Sequence, residues 1–238
     1  MSKLAVGSKS VATAKQVAQA KADDNTRTVV KRVKNAVLFS DGAIRIDNVR
    51  CSYPHLVTPQ AQVNDEGKET TSYSIQLLAP KKTHREAKDL CVEVLTAILL
   101  DNKVKGLPAD KKFIKNGDDQ AKDEQVGQWV INAKESRTRP ALRGRKKDPK
   151  TGKPMRLDPD KDGDVFYGGC YVSAMIKPWF SSHPKGGKRV SCGLLAVQFL
   201  EDGEPFGNAR ISEDEVDDSF EGEDTDDGGF GEDDEDDL

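Results

Sequence analysis

The sequence is short of the features that mark membrane, secreted or catalytic proteins. No apolar run reaches 18 residues, so no helix is expected to cross a bilayer. Basic residues near the N-terminus are not followed by an apolar stretch, which argues against a secretory signal. The four cysteines, Cys51, Cys91, Cys170 and Cys192, lie far apart with no CxxC pair. A disulfide scaffold or zinc knuckle is therefore not expected, and a reducing cytosol is the natural setting. No HExxH, GxSxG or P-loop spacing occurs, and His55, His84 and His183 have no nucleophile motif around them. Asp158, Asp160, Asp162 and Gly163 imitate the start of an EF-hand loop. Glycine stands where the closing glutamate should be, as Gly169, and Pro159 takes the second position, so calcium is not expected. The reading is of a protein that is not an enzyme and needs no metal or cofactor.

What the chain has is charge, unevenly distributed. Of 238 residues, 33% are charged and 35% hydrophobic, which places part of the chain outside any packed core. The formal net charge of −4 conceals a strong dipole: residues 212–238 hold 16 acidic residues and no Lys or Arg. The first 211 residues then hold 37 basic and 25 acidic residues, a sum of +12.

Three segments follow from this. Residues 1–41 are rich in Ala, Lys, Ser, Thr and Val and read as a basic flexible arm, since their apolar face is mostly alanine. A mitochondrial presequence is the competing reading, weakened by the lysines and by Asp23 and Asp24. Residues 42–211 read as the folded domain, and 212–238 as a low-complexity acidic tail that is disordered.

Within the domain, Ile44, Ile46 and Val49 predict a strand ended by Tyr53-Pro54, and residues 58–71 read as a loop. A second strand is predicted over 72–79, with Tyr73, Ile75 and Leu77 on one face. Thr83 and Glu86 have capping-box spacing and open a helix that runs to about Asn102. Its apolar stripe is Ala87, Leu90, Cys91, Val94, Leu95, Ile98 and Leu99. Residues 103–127 look irregular. Further strands are predicted over 128–133, 167–177 and 190–200, with a bulge at Gly193. Five strands and one substantial helix give a mainly β protein, an OB-fold-like, partly open antiparallel barrel. An OB-fold places its helix between the third and fourth strands, whereas here it follows the second. A hidden or split strand would explain this, and a sandwich is the alternative.

Two features point to a polyanion. The first is aromatic rings among cations: Tyr53, Tyr171, Trp179 and Phe180, with Lys81, Lys82, Lys185, Lys188 and Arg189 near them in sequence. Cations track phosphates and rings stack on any base, the combination that sequence-indifferent single-strand binders use. The competing reading for each ring is core packing, and Trp129 and Tyr73 read better as core. The second is the stretch 134–150, with Lys134, Arg137, Arg139, Arg143, Arg145, Lys146, Lys147 and Lys150 against Glu135 and Asp148. Pro140 and Gly144 interrupt it, so it reads as a flexible loop facing an anion, either nucleic acid or the protein's own tail. Phe220, Phe230 and Leu238 are spaced along the tail as candidate partner-binding residues.

Four blocks in order then carry a resemblance: IDNVRCSYP at 46–54, YSIQLLAPK at 73–81, YGGCYVSA at 167–174 and GLLAVQFLEDGEPF at 193–206. Over roughly residues 42–210 the chain resembles a family of bacteriophage single-stranded DNA-binding proteins long catalogued as a domain of unknown function. The resemblance implies an OB-fold that coats single-stranded DNA in phage replication or recombination, in the cytoplasm of an infected bacterial cell. It also implies an acidic tail that gates the DNA groove and recruits phage or host replication proteins such as a polymerase, helicase or nuclease. No membrane partner is expected, and an oligomer is compatible with the sequence. The rival reading is an interaction protein whose acidic tail is the working part, a DNA mimic or a chaperone of basic partners.

Overall fold

The computed structural model describes residues 27–207, apart from 64–66, 68, 121 and 185. Residues 1–26 and the acidic tail, with Phe220, Phe230 and Leu238, lie outside the described residues, as does Lys185.

Order begins earlier than Gly42. Val29–Val33 (β1) and Ala36–Phe39 (β2) form a hairpin around Asn35, whose φ is +61°. Ala36, Val37 and Leu38 are buried, and β2 pairs with Ile44–Val63 (β3). The segment expected to be a flexible arm up to residue 41 therefore contributes two strands. Its lysines obscured a short apolar run that is enough to join an existing sheet.

From β3 the chain turns into Glu69–Pro80 (β4), antiparallel to it. The helix α1 (Arg85–Asp101) and the short strand β5 (Ile114–Asn116) precede β6 (Gln128–Glu135), which pairs with both β4 and β5. A second hairpin, β7 (Ala141–Lys147) and β8 (Pro154–Arg156), and a short helix α2 (Pro159–Asp162) lead to β9 (Tyr171–His183) and β10 (Gly187–Glu201). β9 pairs with β10 and with β3, and β10 meets β6 in parallel at Gly193 and Lys134. The ring β3–β4–β6–β10–β9–β3 is thus closed by five strands. This is an OB-type barrel: a three-strand meander, a parallel third-to-fifth contact, and a final hairpin returning to the first strand. The ring needs no hidden strand. The helix sits between the second and third barrel strands, as its place in the sequence implied, and the third-to-fourth interval holds β7, β8 and α2 instead.

The interior is filled by alternate residues of these strands. Ile44 and Ile46 point inward. A register shift then intervenes with Asn48 at φ +56°, after which Val49 and Cys51 point inward. Leu77, Ile131, Val172, Ala174, Ile176 and Leu194 complete the layer, and α1 seals it with Ala87, Leu90, Cys91 and Leu95. All four cysteines are free and buried. No helix among the described residues is long and apolar enough to cross a membrane.

Four local expectations need correction. β3 does not stop at Pro54 but runs to Val63, because the proline falls in an irregularity between Ser52 and His55 where no ladder hydrogen bond is required. Most of the stretch 58–71 read as a loop is therefore strand. The capping box does not form. Buried His84 stands at the N-cap, its Nε2–H donating to the Asp47 carbonyl at 2.9 Å while Nδ1 accepts from the Thr83 hydroxyl at 2.8 Å. Glu86 accepts instead from the Lys34 N–H at 3.2 Å. The basic stretch is not a loop, since residues 141–147 are strand β7, anchored by buried Leu142. The irregularities of β10 fall between Leu194 and Ala196 and between Phe199 and Glu201, while Gly193 makes the parallel contact.

Candidate nucleic-acid interface

Two hairpins extend beyond the barrel. One is the outer part of β3 and β4, the other the outer part of β9 and β10, where His183 faces Gly187. Between them, over the end of β6, lies a groove of about 780 Å³. In OB-folds these two connections flank the face that takes oligonucleotides.

The groove combines one open ring with cations. Trp179, opposite Ser191 on the β9–β10 hairpin, is 52% exposed. Strand alternation explains why: Pro178 is buried and Phe180 packs against the core, so the residue between them faces out. Around it lie Lys111, Lys112, Lys115, Lys134, Arg137 and Arg189. The carboxylates lining the groove are Asp110, 3.7 Å from Lys111, and Glu135, which accepts from the Arg137 N–H at 2.9 Å. Cys192 also borders the groove, with burial holding its thiol well above the usual range. The groove therefore offers positive charge and a flat apolar face.

Of the residues expected from sequence to touch DNA, the groove gathers Arg137, Trp179 and Arg189. The others sit elsewhere. Lys81 reaches Asn116 and Asp118 and lies over the Trp129 ring at 4.9 Å. Hydrogen bonds from Lys81 and from the Gly127 N–H hold the Asp118 carboxyl below its usual range. Lys82 is exposed in the turn before α1. Arg139 donates to the Val57 carbonyl at 3.1 Å and pairs with Asp160 at 3.7 Å, tying the β3–β4 arm to α2. Tyr53, at φ +47°, is 52% exposed but has Lys122 over its ring at 3.6 Å. Tyr171 is half-buried beside Arg50, 5.7 Å from the ring centre. Arg143, Arg145, Lys146 and Lys147 lie on β7, and Lys188 is exposed on β10 beside groove-lining Arg189.

Lys111, Lys112 and Lys115 were missed. They fall in the interval read as irregular, where buried Phe113 and Ile114 pin the segment and leave the neighbouring lysines facing the groove. A basic pair followed by two apolar residues was the available signal.

An OB barrel with an electropositive groove between its two outer hairpins, carrying an exposed tryptophan, is the architecture of a single-strand-binding protein. Residues 42–228 match the family of the Enterobacter phage Enc34 ssDNA-binding protein, and the chain belongs to that family. The single-stranded DNA-binding protein of bacteriophage Enc34 is 35% identical, covering 81% of this chain and 99% of its own, with a TM-score of 0.65. The same protein in complex with ssDNA matches at 38% identity over 77% of this chain and all of its own, with a TM-score of 0.66. A protein designated p50, of Acyrthosiphon pisum secondary endosymbiont phage 1, is 29% identical over 189 residues, covering 74% of this chain and 92% of its own.

Proposed function

We propose that this chain is a sequence-nonspecific single-stranded DNA-binding protein that coats and protects the strand during phage DNA replication and recombination, in the cytoplasm of the infected cell. The observation that carries the reading is the groove, with Trp179 open to solvent among Lys111, Lys112, Lys115, Arg137 and Arg189. The Enc34 relative, whose complex with ssDNA is known, supports it. Bases stack on the indole and phosphates lie along the cations, so neither contact reads sequence. The role is one of binding, and no bond is made or broken.

The acidic tail enters as a competitor. Sixteen carboxylates in residues 212–238 present the charge of a short polynucleotide to the same cations. When DNA displaces the tail, Phe220, Phe230 and Leu238 become free for replication proteins. A mobility shift with oligo-dT, a mixed-sequence strand, duplex DNA and RNA tests the reading. Oligo-dT and the mixed strand should bind alike, and duplex more weakly because its bases are not free to stack. Failure of every nucleic acid, with capture of basic proteins by the full chain, would return the tail-centred reading.

A further inference from the structure

The groove leaves one strongly cationic surface unused. β7 and β8 form a ribbon in which residues 141–156 carry seven Lys and Arg against the single carboxylate of Asp148. Asp148 is engaged in its own turn, accepting from the Lys150 N–H at 2.7 Å and the Thr151 N–H at 3.3 Å. None of the seven is in an ion pair among the described residues. Leu142 and Gly144 are buried, so Arg143 and Arg145 face away from the core about 6.7 Å apart, and past an irregularity in the pairing with β8 both Lys146 and Lys147 are exposed. Arg143 stands directly across from Arg156 on β8. Like charges so placed destabilise a sheet unless an anion lies near them. None of the ribbon residues lines the groove, yet the two are contiguous. β10 borders the groove as far as Gly193 and takes up β7 at Ala196, about 10 Å further along.

We propose that this ribbon is a second track for the phosphate backbone, followed by single-stranded DNA as it leaves the groove. The inference rests on the single-strand reading above. A row of cations along β7, with Arg156 beside it, offers successive charges to the phosphates of an extended strand. Residues 141–156 contain no aromatic side chain, so this track holds the backbone without stacking bases. Binding should therefore deepen in two steps with oligonucleotide length, the first from the groove and the second from the ribbon.

The test titrates the full-length chain with a dT ladder, oligonucleotide in excess so that one chain occupies each strand, at several salt concentrations. The wild-type protein should gain affinity and salt dependence in a second step once the oligomer outgrows the groove. A quadruple variant, Arg143→Gln, Arg145→Gln, Lys147→Gln and Arg156→Gln, should keep the first step and lose the second. Its affinity for the longest oligomers should fall tenfold or more, and its log–log salt slope by about 3, at roughly 0.7 per lost contact. A companion variant, Arg143→Lys, Arg145→Lys and Arg156→Lys, should retain the second step, separating lost charge from damaged folding. Trp179→Ala should weaken the first step, and no dT binding at any length by the wild-type chain would sink the single-strand reading and this one together. Equal behaviour of the quadruple variant and wild type at all lengths would overturn the second track. So would equal loss on the shortest oligomers, or loss confined to duplex DNA.

Discussion

A half-exposed tryptophan in the middle of a strand leaves a large apolar surface in water, and Trp179 does so beside a groove rather than over the core. Its replacement by alanine should leave the thermal midpoint nearly unchanged and weaken oligo-dT binding by roughly 1–3 kcal/mol, read by fluorescence anisotropy. Its neighbour Phe180 faces the other way, so Phe180→Ala should do the reverse and lower stability more than binding. The sequence placed both rings together because adjacency in a list says nothing of face. Period-2 alternation separates them, and it applies because β9 runs on through both rings to His183, beyond the strand end expected at 177. A second residue-scale test concerns Asp41. Burial alone would raise its carboxyl, but the Ala43 N–H, Arg27 at 2.9 Å and Lys177 at 3.6 Å outweigh that and hold it below the ordinary value of 3.8. A depressed carboxyl stabilises the fold above its unfolded pKa, and that contribution is lost as pH falls through the folded value. Asp41→Asn should therefore lower the midpoint slightly at neutral pH, by less than about 1 kcal/mol for charges this exposed. The gap from wild type should close in acid.

At the scale of elements, the last strand is fastened by a clasp. Gly169 has φ +118°, its N–H donates to the Cys51 carbonyl at 2.8 Å, and its own carbonyl accepts from Arg50 Nε at 3.0 Å. Arg50 also reaches the Glu204 carbonyl and lies over Phe206 at 4.1 Å. A Cβ on Gly169 would come within 2.2 Å of the Glu204 carbonyl oxygen. Gly169→Ala should cost roughly 2–3 kcal/mol in thermal or urea unfolding, since both the backbone angle and the space forbid a side chain. The elements themselves were legible where apolar periodicity was strong. Helix α1 ends within a residue of its expected boundary, and the strands containing Ile75, Ile131 and Leu194 are where alternation placed them, while the strand of Ile176 begins later, at Tyr171, and continues to His183. What escaped was tertiary. The capping box of Thr83 and Glu86 was diverted to His84 and Lys34, and the β1–β2 hairpin is held by a sheet it cannot form alone.

For the whole molecule, the barrel read from five strands and a helix is closed by the parallel contact of β6 with β10, a pairing between distant segments that no local pattern announces. The groove was legible in kind but only partly in its residues: the sequence yielded Trp179, Arg137 and Arg189, while Lys111, Lys112 and Lys115 needed the fold to bring them in. The opposition of charge was legible from composition alone. Removing residues 212–238 should tighten oligo-dT binding at low salt, and the gain should shrink toward physiological ionic strength as the Debye length falls to about 8 Å. A deletion that binds equally or more weakly in dilute buffer would remove the competing role of the tail.

The most direct measurement is the affinity of residues 1–211 for oligo-dT against duplex DNA of equal length, followed from dilute to physiological salt. The expected result is tight single-strand binding that exceeds duplex binding throughout and weakens linearly in log–log form, with quenching of tryptophan fluorescence lost in Trp179→Phe. Indifference of this body to oligo-dT in dilute buffer would contradict the account.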